Sequence, residues 1–155
     1  MSAAGEARER AIRWLAVRER SAQELRRRLA EAGFDADVAA EAVASLIDER
    51  LQSDERFTEI FVRSRRARGQ GPFRIRVELE QQHGIDGETV RRHLHGEEAD
   101  WYEAAWEAAR KKFRGPARDL RDRAKRTRFL TGRGFERDQI ESALERLEQE
   151  EHENQ

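Results

Sequence analysis

Apolar residues recur along this chain at intervals of three and four, which is the spacing of helices that bury one face. Leu25 and Leu29 share such a face, and Ile75 and Leu79 occupy matching places 50 residues later. No segment alternates apolar and polar residues as a half-buried strand does, so we predict an all-α fold. The predicted helices cover about 6–19, 22–32, 36–50, 54–69, 72–82, 87–95, 98–113, 116–131 and 136–150. Their buried faces are predicted to include Leu25, Leu29, Val43, Leu46, Ile47, Phe57, Ile60, Phe61, Ile75, Leu79, Trp101, Ala105, Ala109, Phe113, Ile140, Leu144 and Leu147.

A glycine, an apolar residue and an acid follow one another at three places, Gly33-Phe34-Asp35, Gly84-Ile85-Asp86 and Gly134-Phe135-Glu136. Their glycines are 51 and 50 residues apart. Glycine after a helix adopts the left-handed conformation at little energetic cost, and the next apolar residue folds back on the last helical turn. The acid then favours the start of the next helix. Each tripeptide therefore predicts a tight corner between two helices.

Helix starts are signalled between these corners. Ser21 and Glu24 fit a capping box, and Ser53-Asp54 and residues 98–100 supply further cap signals. Gly71-Pro72 and Gly115-Pro116 each predict a proline at a first helical position. The third unit is longer here, because Gly115 lies further from Gly134 along the chain than Ser21 lies from Gly33. Residues 114–119 are therefore alternatively a loop, with the eighth helix starting at 119.

The period of about 50 residues predicts three tandem three-helix repeats, at 1–52, 53–97 and 98–155, the last ending in an acidic tail. Repeats that pack mainly on their neighbours form an elongated, solenoid-like body with much surface per residue. Such a body agrees with a chain of 155 residues that is only 37% hydrophobic and 41% charged.

Several classes of function are disfavoured by what the chain contains. It has no cysteine, no apolar run long enough to cross a bilayer and no apolar segment in residues 1–10, so we expect a cytoplasmic protein that does not enter a membrane. No serine lies in a nucleophile elbow and no phosphate loop is present. His93 and His95 resemble a metal pair, but residues two apart do not share a helix face. We therefore expect no enzyme activity, metal, cofactor or small-molecule substrate.

The net charge of −1 conceals strong patterning. Residues 63–76 carry six arginines and no acid, and residues 110–137 carry twelve basic and three acidic side chains, a net charge of +9. Residues 138–155 carry seven acids against Arg146 alone. A basic stretch before an acidic tail indicates a polyanion or an acidic protein surface as partner. The alternative is that these charges simply solvate exposed helix faces.

The candidate partner-binding residues are the cations of the two basic stretches, because arginine suits bidentate contact with carboxylate or phosphate. They are Arg63, Arg65, Arg66, Arg68, Arg74, Arg76, Lys111, Lys112, Arg114, Lys125, Arg126 and Arg128. The four arginines of the fourth helix are predicted to project outward together, with Ser64 turned to the core. An anion could also dock at the start of the fifth helix, beside Arg74 and Arg76. The helical spacing of the tryptophans favours core packing over stacking on bases.

Several segments of the chain together form a specific pattern. The most specific part comprises Ser53-Asp54-Glu55-Arg56-Phe57, Phe61-Val62-Arg63-Ser64-Arg65 and Gly69-Gln70-Gly71-Pro72, then Ile75, Leu79 and Gly84-Ile85. Ser21, Glu24-Leu25, Leu29 and Gly33-Phe34 belong to it, as do residues 123–130 and Arg133-Gly134-Phe135. In these segments the chain resembles the RecX family, regulatory proteins of the RecA recombinase, over about residues 11–147.

The resemblance implies three tandem three-helix units that lie in the groove of the RecA–DNA filament and touch neighbouring RecA subunits. It further implies inhibition of strand exchange, ATP hydrolysis and filament growth, as in regulation of DNA repair and the SOS response. The family has no catalytic residues to carry over. Two other functions stay open on the residues alone, a protein that binds single- or double-stranded DNA directly and an inert scaffold for other helical partners.

Overall fold

The computed structural model describes residues 2–96 and 100–153, with the backbone alone at 150–153. Within these ranges the regular elements are all helical, which confirms the predicted fold class. They are α1 Ala3–Val17, α2 Ala22–Glu31, α3 Ala36–Asp48, α4 Asp54–Ala67, α5 Pro72–Val77, a π-helical turn Glu78–Gln82, α6 Gly87–Leu94, α7 Trp101–Lys112, α8 Leu120–Arg133 and α9 Arg137–Glu153. The cap signals at 98 and 99 lie outside the described residues. No helix in the described ranges is long and apolar enough to span a membrane.

The helix starts follow local side-chain chemistry. Ser21 caps α2 by accepting a hydrogen bond from the Glu24 N–H (3.1 Å), as predicted. The Glu24 carboxylate, in contrast, pairs with Arg18 (2.8 Å between Nη2 and Oε1). Asp100 caps α7 in the same way as Ser21 caps α2. The prediction that Pro116 begins a helix is wrong, because α8 begins at Leu120 behind an Asp119 cap. The alternative interpretation, a loop over 114–119, is confirmed.

The three predicted corners are present. Their glycines have φ angles of +102°, +65° and +101°, in the left-handed region. In the first and third corners, the N–H of the residue after glycine donates to the carbonyl five residues earlier, Phe34 to Leu29 and Phe135 to Leu130 (3.1 Å each). These bonds close the helix ends and fold the apolar residue back, as the repeat predicted.

The middle corner contains one additional residue. There the N–H of Ile85 donates to Leu79, six residues back (3.0 Å). Gly71, the cap of α5, also lies one position further from its corner glycine than Ser21, the cap of α2, lies from Gly33. A π-helical turn accommodates a one-residue insertion without breaking the helix, and here it occupies Glu78–Gln82. The insertion explains why the second repeat departs from the first.

Contacts between Cα atoms divide the chain into two compact units, and the second predicted repeat is shared between them. The first unit is the chain up to Ile60 with Leu79–Val90. Its core lies among α1, α2 and α3, where Leu25, Leu29 and Leu46 are fully buried. Ile47 and Ile60 were predicted to face inward and do not: they are 43% and 50% exposed.

The second unit is Phe61–Glu78 with the chain from Arg91 onward. In it α7 packs along α9, and Trp101, Trp106 and Leu144 are buried. The prediction that these tryptophans belong to the core is confirmed. Phe113 is only half-buried, with its ring edge-on to Phe129.

Candidate partner-binding surface

The four arginines of α4 and its end do not share one exposed face. Arg63 and Arg68 are exposed, whereas Arg65 and Arg66 are half-buried. Arg66 donates to the backbone carbonyl of Asp100 (3.1 Å), and its buried Nε has no partner. The expectation that all four project outward together is therefore wrong for Arg65 and Arg66. Ser64, which was expected to face the core, is exposed.

Arg65 and Arg74 share one carboxylate. The Glu78 carboxylate forms an ion pair with Arg65 (3.1 Å between Nη1 and Oε2) and another with Arg74 (3.3 Å between Nε and Oε1). Arg65 also lies over the Phe61 ring, 4.5 Å from its centroid. Arg65 and Arg74 therefore serve the fold, because their shared contact with Glu78 joins α4 to the end of α5. Arg76, half-buried, lies over Phe73 and is also engaged.

The start of α5 is not available to an anion. The N–H groups of Gly71 and Phe73 donate to the carbonyls of Arg133 and Gly134, at 2.7 and 2.9 Å. These are the orphan donors and acceptors of two helix ends, and here they satisfy each other. The expectation that an anion docks beside Arg74 and Arg76 at this helix start is therefore wrong.

Arg126 is buried and serves the chain's own backbone. Its guanidinium donates to the carbonyl of Gly115 (2.6 Å) and lies over the Phe113 ring, 5.1 Å from its centroid. It also pairs with Asp122 at 3.3 Å. One side chain thus holds the irregular segment 113–119 against α8. Because Arg126 is buried, the expectation that it is a surface cation free to bind a partner is wrong.

Five candidates at the ends and face of α7 and α8 are exposed, and none pairs with a carboxylate within the part of the chain that the structure describes. They are Lys111, Lys112, Arg114, Lys125 and Arg128. Elsewhere, arginines commonly have an acidic partner, as Arg123 has Glu148 (3.0 Å) and Arg146 has Glu103 (2.8 Å). The exposed five are therefore available to another molecule.

The structure brings candidates from both basic stretches into one cleft of about 240 Å³ within the second unit. Arg66 and Arg68 come from the end of α4, and Lys111 and Lys112 from the end of α7. Arg133, the last residue of α8, completes the set. We name these five side chains, with the residues around them, the basic cleft.

Arg133 and Phe129 were not among the candidates drawn from the sequence, although both line the basic cleft. The signal for Arg133 was its place just before a corner glycine, where α8 ends. A basic residue there is also explained by the negative end of the helix dipole, so position alone did not single it out.

Metal ligation finds no support in the described part of the chain, where no group of three or more His, Cys, Asp or Glu side chains could hold an ion. His83 instead packs on the Phe57 ring, with centroids 5.0 Å apart. His152 lies where side chains are not described. The described side chains thus offer exposed cations on helices, which suit binding of anions.

Comparison with known proteins decides the family. Family models described as the first, second and third three-helix domains of RecX match residues 7–46, 53–94 and 98–144. The chain belongs to the RecX family. Each matched range lies inside one of the three predicted repeats, whose own limits stay a prediction.

Relatives in the RecX family match most of the chain. "Regulatory protein RecX" of Chromohalobacter salexigens is 50% identical over 137 residues, 88% of this chain and 90% of the relative. The proteins of that name from Xanthomonas axonopodis pv. citri and Halorhodospira halophila are 42% and 39% identical, and cover 87% and 92% of this chain and 83% and 91% of their own lengths. The crystal structure of RecX from Lactobacillus salivarius has the same fold, with a TM-score of 0.79 at 23% identity over 94% of this chain and 96% of that one.

Proposed function

We propose that this chain regulates the RecA recombinase by binding the RecA–DNA filament and inhibiting ATP hydrolysis, strand exchange and filament growth. Membership of the RecX family supports a regulatory role, since the relatives are named regulatory proteins. We propose further that it acts in the cytoplasm as a binding protein and not as an enzyme.

The observation that carries the proposal is a set of exposed cations without carboxylate partners in the described part of the chain, on a protein whose net charge is near zero. Lys125 and Arg128 illustrate it: they are three residues apart on α8 and so lie on the same side of that helix. Cations that the fold does not use are suited to carboxylates on a partner protein and to DNA phosphates. A RecA–DNA filament presents both.

The mechanism follows from binding more than one filament component. A helical protein that binds two neighbouring RecA subunits stabilises the arrangement that those subunits have while it is bound to them. Subunit movements that alter this arrangement must break those contacts, so they become less favourable. ATP turnover and filament growth both require subunits to move or to be added, and both are therefore inhibited.

The test is cosedimentation of the chain with RecA filaments on single-stranded DNA. Lys125→Glu/Arg128→Glu reverses two exposed charges and should lower the bound fraction by at least about tenfold at a fixed concentration, since each lost charged contact is worth on the order of 1.5 kcal/mol. Arg10→Glu/Arg13→Glu, on the exposed side of α1, makes the same charge change and should bind as the unmodified chain does. Equal binding by all three proteins would refute this surface.

Direct binding to DNA is the second candidate, favoured by the same unpaired cations. If naked DNA is the first ligand, affinity without RecA should fall steeply with salt, by a slope of about 0.9 for each phosphate neutralised on duplex DNA. We expect binding to RecA filaments to be tighter than binding to the same DNA alone. The reverse order would favour the DNA-binding candidate.

A further inference from the structure

The basic cleft concentrates positive charge, although the chain as a whole has a net charge of only −1. Its lining includes five cationic side chains and a single carboxylate, Glu107. None of the five forms an ion pair with a carboxylate that the structure describes. Like charges gathered in one concavity repel one another and raise the local concentration of anions. The cleft therefore carries a net positive charge and favours an anionic ligand.

Three of the five cations, Lys112, Arg133 and Arg66, are held in place by contacts within the chain. Lys112 and Arg133 both lie against the ring of Phe129, with Nζ 5.5 Å and Cζ 5.2 Å from its centroid. Phe113 meets the same ring edge-on, with centroids 5.4 Å apart. Arg66 is fixed by its hydrogen bond to the Asp100 carbonyl (3.1 Å). Side chains ordered in this way lose less conformational entropy when a ligand binds.

Part of the cleft is lined by small residues. Ala104 and Ala108 lie four residues apart on one face of α7. Gly69, at the end of α4, lies opposite, and a β-carbon there would be 3.9 Å from that of Ala108. Small residues therefore line the cleft between the end of α4 and α7.

The ligand chemistry follows from the number and kind of the cations. A single carboxylate would neutralise one of them, whereas a run of phosphate groups neutralises several at once. The chain has only three lysines and two of them line the cleft. Lysine is a compact point charge that binds phosphate without a fixed orientation, and arginine adds bidentate contacts. The volume of about 240 Å³ is below the roughly 300–1,000 Å³ of pockets for drug-sized ligands, so it suits phosphates better than a whole nucleotide.

We infer that the basic cleft binds a run of phosphate groups, supplied either by the backbone of a single-stranded nucleic acid or by a nucleoside triphosphate. A nucleic-acid backbone in the cleft would give the second candidate function, direct binding to DNA, a defined site, and in that part the inference rests on that candidate. A nucleoside triphosphate in the cleft goes beyond both proposed functions. The inference concerns the chain alone, and it stands or falls without RecA.

The first experiment uses inorganic tripolyphosphate as the probe, because it carries the shared chemistry and nothing else. Titration calorimetry at low ionic strength should show binding to the full chain. Lys111→Glu/Lys112→Glu should weaken binding by at least about tenfold. Arg10→Glu/Arg13→Glu should leave it unchanged, because those exposed residues are on α1 and not in the cleft. No binding to the unmodified chain, or equal weakening by both variants, overturns the inference.

A second variant guards against a folding defect in the lysine pair. Arg68 is exposed, lies just after α4 and has no carboxylate partner within the described ranges, so Arg68→Glu should keep the helical circular dichroism of the unmodified chain. It should also weaken tripolyphosphate binding. A folded Arg68→Glu protein that binds as the unmodified chain does contradicts the assignment.

The source of the phosphates is decided by repeating the titration with oligothymidylate and with ATP. We take as the physiological source the ligand that binds Lys111→Glu/Lys112→Glu more weakly than it binds the unmodified chain. For the oligonucleotide, the slope of log affinity against log salt should also fall by about 1.4, since each phosphate contact on a single strand contributes about 0.7. If neither ligand binds the unmodified chain more tightly than the variant, the inference is wrong.

Discussion

The backbone of Gly71 lies directly against that of Gly134: a β-carbon built on Gly71 would be 2.4 Å from the Gly134 carbonyl carbon. The N–H of Gly71 donates to Arg133 (2.7 Å), and that of Phe73 donates to Gly134 (2.9 Å). The start of α5 and the end of α8 thus satisfy each other's unpaired backbone groups. The glycine at 71 is required by a neighbour that is distant in the sequence, and the pattern of a helix cap does not reveal such a neighbour.

Gly71→Ala should therefore destabilise the chain by about 1–3 kcal/mol, the usual cost of forcing extra volume into a packed site. Gly132→Ala is the matched control, because a β-carbon at 132 meets nothing within 4 Å. Within α8 that substitution should stabilise by about 0.5–1 kcal/mol, since alanine loses less backbone freedom than glycine. Urea unfolding followed by circular dichroism measures both. Equal midpoints for the two variants would show that the close approach is not rigid.

Gly33→Val tests the corner geometry without any clash. Gly33 has φ +102° and nothing within 4 Å of a built β-carbon, so the expected cost of roughly 1–3 kcal/mol comes from backbone strain alone. Gly33→Asn should cost less, because asparagine tolerates the left-handed conformation better than a β-branched residue. Identical unfolding midpoints for Val and Asn would contradict the strain argument.

Arg126→Leu should loosen segment 113–119. The substitution leaves the Gly115 carbonyl without its donor and removes one of the two ion pairs of Asp122, so the free energy of unfolding should fall by roughly 1–3 kcal/mol. Arg128→Leu changes an exposed side chain two residues away and should stay within about 0.5 kcal/mol of the unmodified chain. Trypsin should cut after Arg114 or Arg118 faster in Arg126→Leu than in Arg128→Leu. The same cleavage rate in both would mean that Arg126 does not anchor the segment.

The carboxylate of Asp122 makes part of the stability depend on pH. The Arg118 N–H, which donates to it at 3.0 Å, holds the pKa of Asp122 below its usual value, and the charges of Arg126 and Arg118 act in the same direction. A lowered pKa stabilises the fold above the unfolded value of about 3.9, and that contribution is lost as pH falls through the folded pKa. The difference in unfolding free energy between the unmodified chain and Asp122→Asn should therefore be constant above about pH 5 and shrink below about pH 3.9. A difference that is equal at pH 3 and pH 7 would show that this charge contributes nothing.

The parts of the fold that local chemistry determines could be predicted from the sequence. The corner glycines at 33, 84 and 134 act within one helical turn of their own position, so a tripeptide was enough to find them. Whether a single side chain points inward or outward was harder to predict from the sequence. Ile47 and Ile60 fit the apolar spacing of their helices but lie at the margin of the buried face, where spacing alone does not decide exposure.

The candidate surface was predicted as a charge pattern but not as individual contacts. Arg65 and Arg126 were grouped with surface cations because the sequence does not show that Glu78 and the loop carbonyls lie beside them. The basic cleft could not be predicted either, since it depends on how the ends of α4, α7 and α8 meet. Arg65 and Arg66 are poor choices for mutagenesis of a binding surface, because reversing either charge would disturb internal contacts as well as contacts with a partner.

Regulation of RecA is tested most directly by RecA's ATPase activity on single-stranded DNA, titrated with this protein and using RecA from the same organism. We expect inhibition at substoichiometric ratios, weaker with Lys125→Glu/Arg128→Glu and unchanged with Arg10→Glu/Arg13→Glu. The stoichiometry separates blocking of filament ends from coating of the groove. An ATPase rate that is unaffected at equimolar protein would contradict the proposed function.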